Sequence, residues 1–197
     1  KGFEACGHRV SLCTYSIADN GHRVRMINNE IIEDYGTGKP AAAKRRVSYQ
    51  CIYRYAITHQ VELIYVRSFH NANPFTIRLF SKLRKAGIKI AMEIPTYPYD
   101  SEYAGFPLVT RLGIQVDKVF RKTLAKHVNA IVTFSDYHCI FGQRTIQISN
   151  GVDFDSIPLK KTVSKNTSVI HLLGVAEVHY WHGYDRLIEG LGKYYQN

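Results

Sequence analysis

Four short apolar runs, 62–67 (ELIYVR), 88–94 (IKIAMEI), 130–134 (AIVTF) and 145–148 (TIQI), constrain this chain more than any other feature. A strand with one wet face alternates apolar and polar side chains. Runs that stay apolar ask for cover on both faces. Helical segments separate them. One spans about 40–58, with Pro40 suited to its first turn. A second spans 74–86, opened by Pro74 and stopped by Gly87, and a third spans 107–127. In the third, Val109, Leu112, Val116, Val119, Phe120 and Leu124 recur at spacings of three and four, which predicts a buried stripe. This order predicts an α/β domain built on a doubly wound parallel sheet.

The flanks read differently. Residues 1–6 look like the end of a helix closed by Gly7-His8, and 9–15 reads as a strand. Because a helix does not open an α/β unit, an earlier strand and its loop are expected to be missing. Asn28-Asn29 between 22–27 and 30–34 predicts a hairpin, since Asn tolerates positive φ. Residues 159–168 (LKKTVSKNTS) turn polar and read as a linker. Beyond them come a strand (169–173), a loop (174–183) and a helix (184–195). The expected organisation is a first domain over 1–158, the linker, and the beginning of a second domain over 169–197.

Lys and Arg number 26 against 16 Asp and Glu in 197 residues, a net charge of +10, and 45% of residues are hydrophobic. That apolar share excludes a disordered chain. No apolar run approaches the roughly 18 residues of a membrane-spanning helix. Cys6, Cys13, Cys51 and Cys139 show no zinc-ligand spacing and read as reduced core thiols of a cytoplasmic protein without a signal peptide. His8, His22, His59, His127 and His138 follow no metal-ligand pattern and read as surface or capping residues. No Gly-x-Ser-x-Gly elbow occurs, and Ser135-Asp136 does not replace it.

Ligands of such sheets collect at the carboxyl ends of the strands. There stand Arg67 and His70 after the first central strand, and 93–100 after the next. Tyr97, Tyr99 and Tyr103, interleaved with Asp100 and Glu102, combine aromatic faces with hydrogen-bonding groups. The competing reading is a rigid loop shaped by Pro95 and Pro98 whose tyrosines cap the core. For Arg67 and His70 it is a strand-end ion pair or a solvated loop.

The segments Glu93-Ile94-Pro95-Thr96-Tyr97-Pro98-Tyr99-Asp100, Asn150-Gly151-Val152-Asp153 and Gly174…His182-Gly183-Tyr184-Asp185-Arg186 resemble, in that order, retaining glycosyltransferases of the GT-B fold, family 4 type, which act in capsule and exopolysaccharide biosynthesis. The resemblance covers nearly the whole chain. It implies two Rossmann-like domains, the acceptor-side domain first, and transfer of a sugar from a nucleotide-sugar donor to a lipid-linked or glycan acceptor with no metal or other cofactor. Under it, Arg67, His70, Tyr97, Tyr99 and Asp100 are acceptor-binding candidates, and Glu93 and Asp100 are catalytic candidates. Gly174, His182 and Gly183 are candidates for the donor phosphates, and Asn150, Gly151 and Asp153 form the interdomain turn. Family members usually carry Arg and Lys where this chain has Val175 and His182.

Two basic stretches hold nearly all the excess charge: Lys39, Lys44, Arg45, Arg46 and Arg54 within 38–54, and Arg111, Lys118, Arg121, Lys122 and Lys126 within 107–127. Lys44-Arg45-Arg46 read as early helical residues, where the macrodipole disfavours cations, so an external anion is the expected compensation. The resemblance implies that with Lys118, Arg121 and Lys122 they face an anionic membrane, placing the protein peripherally at the cytoplasmic side of the inner membrane. Two rival readings are a nucleic-acid-binding module that stacks bases on Tyr49, Tyr53 and Tyr55, and a nucleotide-sugar epimerase of the same fold. Under the leading one, no nucleic acid partner is expected.

Overall fold

A computed structural model of the chain describes residues 2–67, 72–100, 105–151, 153, 157–158, 172–174 and 182–196. The chain divides into two compact units, Lys1–Gly151 and Val152–Asn197.

The first unit opens with helix α1 (Gly2–Ala5), ended by Gly7 at φ 82°, with the His8 amide donating back to the Phe3 carbonyl. Strands β1 (Cys13–Ile17), β2 (Arg23–Ile27) and β3 (Glu30–Asp34) form an antiparallel sheet in that order. Asn28 and Asn29, at φ 50° and 71°, make the hairpin turn predicted from sequence, because consecutive left-handed residues match the twist of the flanking strands. The strand expected at 9–15 lies at 13–17. It pairs with β2, since the few residues joining them permit only a hairpin, never a parallel crossover.

The single helix expected over 40–58 is two helices, α2 (Gly38–Val47) and α3 (Gln50–Thr58). Ser48 between them is extended at φ −95°, ψ 113°. The Tyr35 hydroxyl donates to the Ser48 carbonyl at 3.4 Å, and the Arg25 guanidinium donates to the Arg45 carbonyl at 3.4 Å. These side chains take carbonyls that a continuous helix would use itself. The break relocates Lys44, Arg45 and Arg46 from an early turn to the last turn of α2, where the macrodipole favours cations by about 0.3–1 kcal/mol each. Their charge therefore needs no external anion to explain it.

The larger sheet follows: β4 (Leu63–Val66), helix α4 (Pro74–Lys85), β5 (Lys89–Glu93), helix α5 (Leu108–Ala125), β6 (Ala130–Thr133), β7 (Cys139–Ile140) and β8 (Gln143–Gln147). Its order is β4-β5-β6-β8-β7, parallel except for β7. A left-handed pair, Phe141 and Gly142, turns β7 into β8. The parallel strands β4, β5, β6 and β8 cross the sheet in chain order, and β7 turns back as an antiparallel strand at the edge. What stands is a mixed α/β fold with a five-stranded, mostly parallel sheet. Helix α4 packs against both α3 and α5, and Leu79, Phe80, Leu83, Leu124 and Ala125 share a core with Ile90, Met92, Ile94 and Ile131. Each fully buried Leu or Ile contributes about 1.5–3 kcal/mol. Strand alternation sends Tyr65, Ala91 and Glu93 to the opposite face.

Helix α5 corrects the sequence reading. Of its expected buried stripe, Val109, Leu112, Val116 and Val119 are exposed, while Ile114, Asp117, Leu124 and Ala125 are buried. Asp117 sets this rotation: its carboxylate accepts from the Ala72 amide at 2.8 Å and from the Tyr99 hydroxyl at 2.9 Å. A carboxyl side chain with two dedicated donors holds a buried position that a valine stripe would otherwise take.

Only Cys51 of the four cysteines is buried; Cys6, Cys13 and Cys139 lie exposed in the turn after α1 and on edge strands, and all four are free. In the second unit, α6 (Tyr184–Gln196) occupies the helix predicted over 184–195. The predicted linker and most of the strand at 169–173 lie outside the described residues. No helix among the described residues is long and apolar enough to cross a membrane.

Candidate functional site

At the carboxyl ends of β4 and β5 the sheet assembles a carboxylate, a phenol and a guanidinium. Glu93 closes β5 and is 5% exposed. Tyr65, on the same face of β4, donates its hydroxyl to Glu93 Oε2 at 2.5 Å, and Arg67 Nε, just past β4, lies 3.4 Å from Oε1. Burial, then the hydrogen bond to the carboxylate, pushes the Tyr65 hydroxyl well above the ordinary phenol range, so it stays a donor. Arg67 is 80% exposed at its side chain, with its charge split between Glu93 and solvent. It takes the strand-end ion pair that the sequence left open, yet keeps donors for a ligand. His70 lies outside the described residues. The sequence reading missed Tyr65, although its register two residues before Arg67 on an edge strand was the available signal.

The tyrosine segment goes elsewhere. After β5 it folds back onto α5 and the Phe141-Gly142 turn. Tyr97, joined to Pro98 by a cis peptide bond, packs edge-on against Tyr137 and Phe141 at ring distances of 4.9 and 5.5 Å. Tyr99 is 3% exposed and belongs to the core, so in this arrangement it caps the core instead of offering a face. Burial and the Asp117 carboxylate raise its hydroxyl far above the usual range. Asp100 receives both Arg121 Nη atoms at 2.7 and 3.2 Å, with Lys118 Nζ at 3.5 Å. The Arg121 hydrogen bonds hold its carboxyl below the usual carboxylate range. Arg121 also lies over the Phe141 ring at 4.6 Å. Glu93 and Asp100, the two catalytic candidates, thus make separate sets of contacts.

Of the six basic residues expected to face a membrane, Arg121 and Lys118 serve Asp100, and Arg45 stacks on the Tyr15 ring at 4.0 Å. Lys44, Arg46 and Lys122 are exposed. A cleft of about 380 Å³ between α3 and α4, lined by Tyr49, Tyr53, Phe75, Arg78 and Lys82, was not foreseen; Lys82 Nζ sits 5.4 Å over the Tyr53 ring.

The second unit holds the donor-side candidates. Gly174 lies under the Tyr184 ring, where an added Cβ would fall 2.6 Å from a ring carbon. Gly183 precedes α6 at φ 69°, a left-handed conformation that favours glycine, and the Arg186 guanidinium lies beside it. Arg186 places a cation beside the helix start that the sequence assigned to His182 and Gly183. Asn150 and Gly151 follow the sheet in irregular backbone, and Asp153 is exposed. No family model matches the chain, and neither a curated protein nor a solved structure does.

Proposed function

We propose that the chain is part of a retaining glycosyltransferase of GT-B type that moves a sugar from a nucleotide-sugar donor to a lipid-linked or glycan acceptor in cell-surface polysaccharide synthesis. The observation that carries this reading is Glu93, a carboxylate closing β5 at the ligand-binding end of a parallel sheet, held by Tyr65 and flanked by exposed Arg67. The order of the motifs along the chain supports it. In the transfer, the bond from the anomeric carbon to the diphosphate oxygen breaks, the diphosphate leaves with the electron pair, and an acceptor hydroxyl oxygen bonds to that carbon as its proton passes to the departing diphosphate. Fixed positive charge and backbone amides stabilise that leaving group. The Gly183 helix start with His182 and Arg186 has this character. Glu93 and Arg67 present a matched acceptor and donor to sugar hydroxyls, and the site works beside an anionic membrane surface on the cytoplasmic side.

Nucleoside-diphosphate release by the full-length protein, across a panel of nucleotide sugars with and without membrane lipid extract, tests the reading. Release with one donor, raised by the extract and lowered about tenfold or more in Arg67→Ala and Glu93→Gln, is expected. Absence of release from every donor by the folded protein would overturn it. Donor turnover that needs no acceptor would favour an epimerase.

A further inference from the structure

The outward face of α5 is apolar. Leu108, Val109, Leu112, Val116 and Val119 are 67, 66, 57, 45 and 71% exposed. At about 100° per residue they fall in one stripe about 100° wide, opposite the buried Asp117. Along one edge of this stripe, at offsets of seven and four residues, run Arg111, Lys118 and Lys122. Arg111 and Lys122 are exposed, and Lys118 is shared with Asp100. The one acid of the helix, Asp117, points into the core. The outward surface of α5 is therefore apolar with a cationic rim and no negative charge of its own.

A face of this composition suits an interface that is oily within and negative at its edge, the makeup of a bilayer with anionic headgroups. We propose that α5 lies flat on an anionic phospholipid membrane, with Leu108, Val109, Leu112, Val116 and Val119 entering the boundary of headgroups and acyl chains and Arg111, Lys118 and Lys122 at the level of the phosphates. This deepens the functional reading above, since a lipid-linked acceptor is met at that surface. It assigns the docking to α5 and not to α2, whose Lys44 and Arg46 are accounted for by the helix end.

Vesicle flotation of the full chain, without donor or acceptor, tests the docking separately from catalysis. Binding to phosphatidylcholine vesicles holding about a third phosphatidylglycerol is expected to exceed binding to phosphatidylcholine alone by about tenfold. The triple variant L112S/V116S/V119S, altered only at exposed positions, is expected to keep its circular dichroism and to lose about tenfold or more of the binding. R111E/K122E should lose the anionic preference, and K44E/R46E should keep it. Wild-type-like binding by the triple variant overturns the proposal, as does absence of binding to either vesicle. So does a lipid-free dimer in sedimentation that the triple variant abolishes, which would make a second copy the occupant of the stripe.

Discussion

Asp117 is a buried polar side chain that ties together segments far apart in the sequence. It joins the loop before α4, the tyrosine segment and α5 through two hydrogen bonds, at 1% exposure. Removing it takes the carboxylate from a backbone amide and from a buried hydroxyl at once. Asp117→Ala is expected to cost about 2–5 kcal/mol in urea denaturation, against about 1 kcal/mol for Tyr99→Phe, which leaves the Ala72 amide its acceptor. Equal costs would show that Asp117 does not hold both partners. Neither bond was legible in the sequence, where Asp117 is a lone acid in a basic helix. Its donors stand 45 residues upstream, at Ala72, and 18 upstream, at Tyr99.

Elements whose ends are set locally were readable; elements set by distant side chains were not. Helix α4 starts where Asn73 accepts from the Phe75 and Thr76 amides while Thr76 accepts from the Asn73 amide, and Gly87 follows its end at φ 84°. Pro74 and Gly87 announced both. The break between α2 and α3 depends on Arg25 in β2 and Tyr35 just after β3, and the turn of α5 toward the core depends on Asp117. Asp100 adds a pH dependence at this scale. Arg121, with Lys118 near, lowers its carboxyl in the folded chain, so the pair stabilises above the ordinary carboxyl range and is lost as pH falls through the lowered value. Melting of wild type and Asp100→Asn, compared from about pH 6 down to about pH 3, is expected to show a gap that narrows toward the acid end. A gap that widens would refute the pairing.

For the whole molecule, charge and fold class were legible early, since both follow from composition and from the order of apolar runs. Strand order was not, because periodicity shows that a strand is buried without showing which neighbours bury it. The net charge of +10 adds a long-range attraction to the short-range apolar contact proposed for α5. Salt separates the two. Raising sodium chloride from about 0.1 M to about 1 M shortens the screening length from about 10 Å to about 3 Å. Binding to anionic vesicles is expected to fall severalfold without vanishing, the remainder being the share that the triple serine variant removes. Complete loss would mean that charge alone carries the attachment.

The strand order also governs how the first unit can be put together in time. Strand β5 pairs with β4 and β6 with β5, so this part of the sheet joins strands that follow one another along the chain. The last pair cannot follow that rule, because β8 lies between β6 and β7 although it is made after both. Until β8 arrives, β7 has no neighbour in the sheet. The Phe141-Gly142 turn lets β7 and β8 pair locally as a hairpin, and β8 in turn pairs with β6.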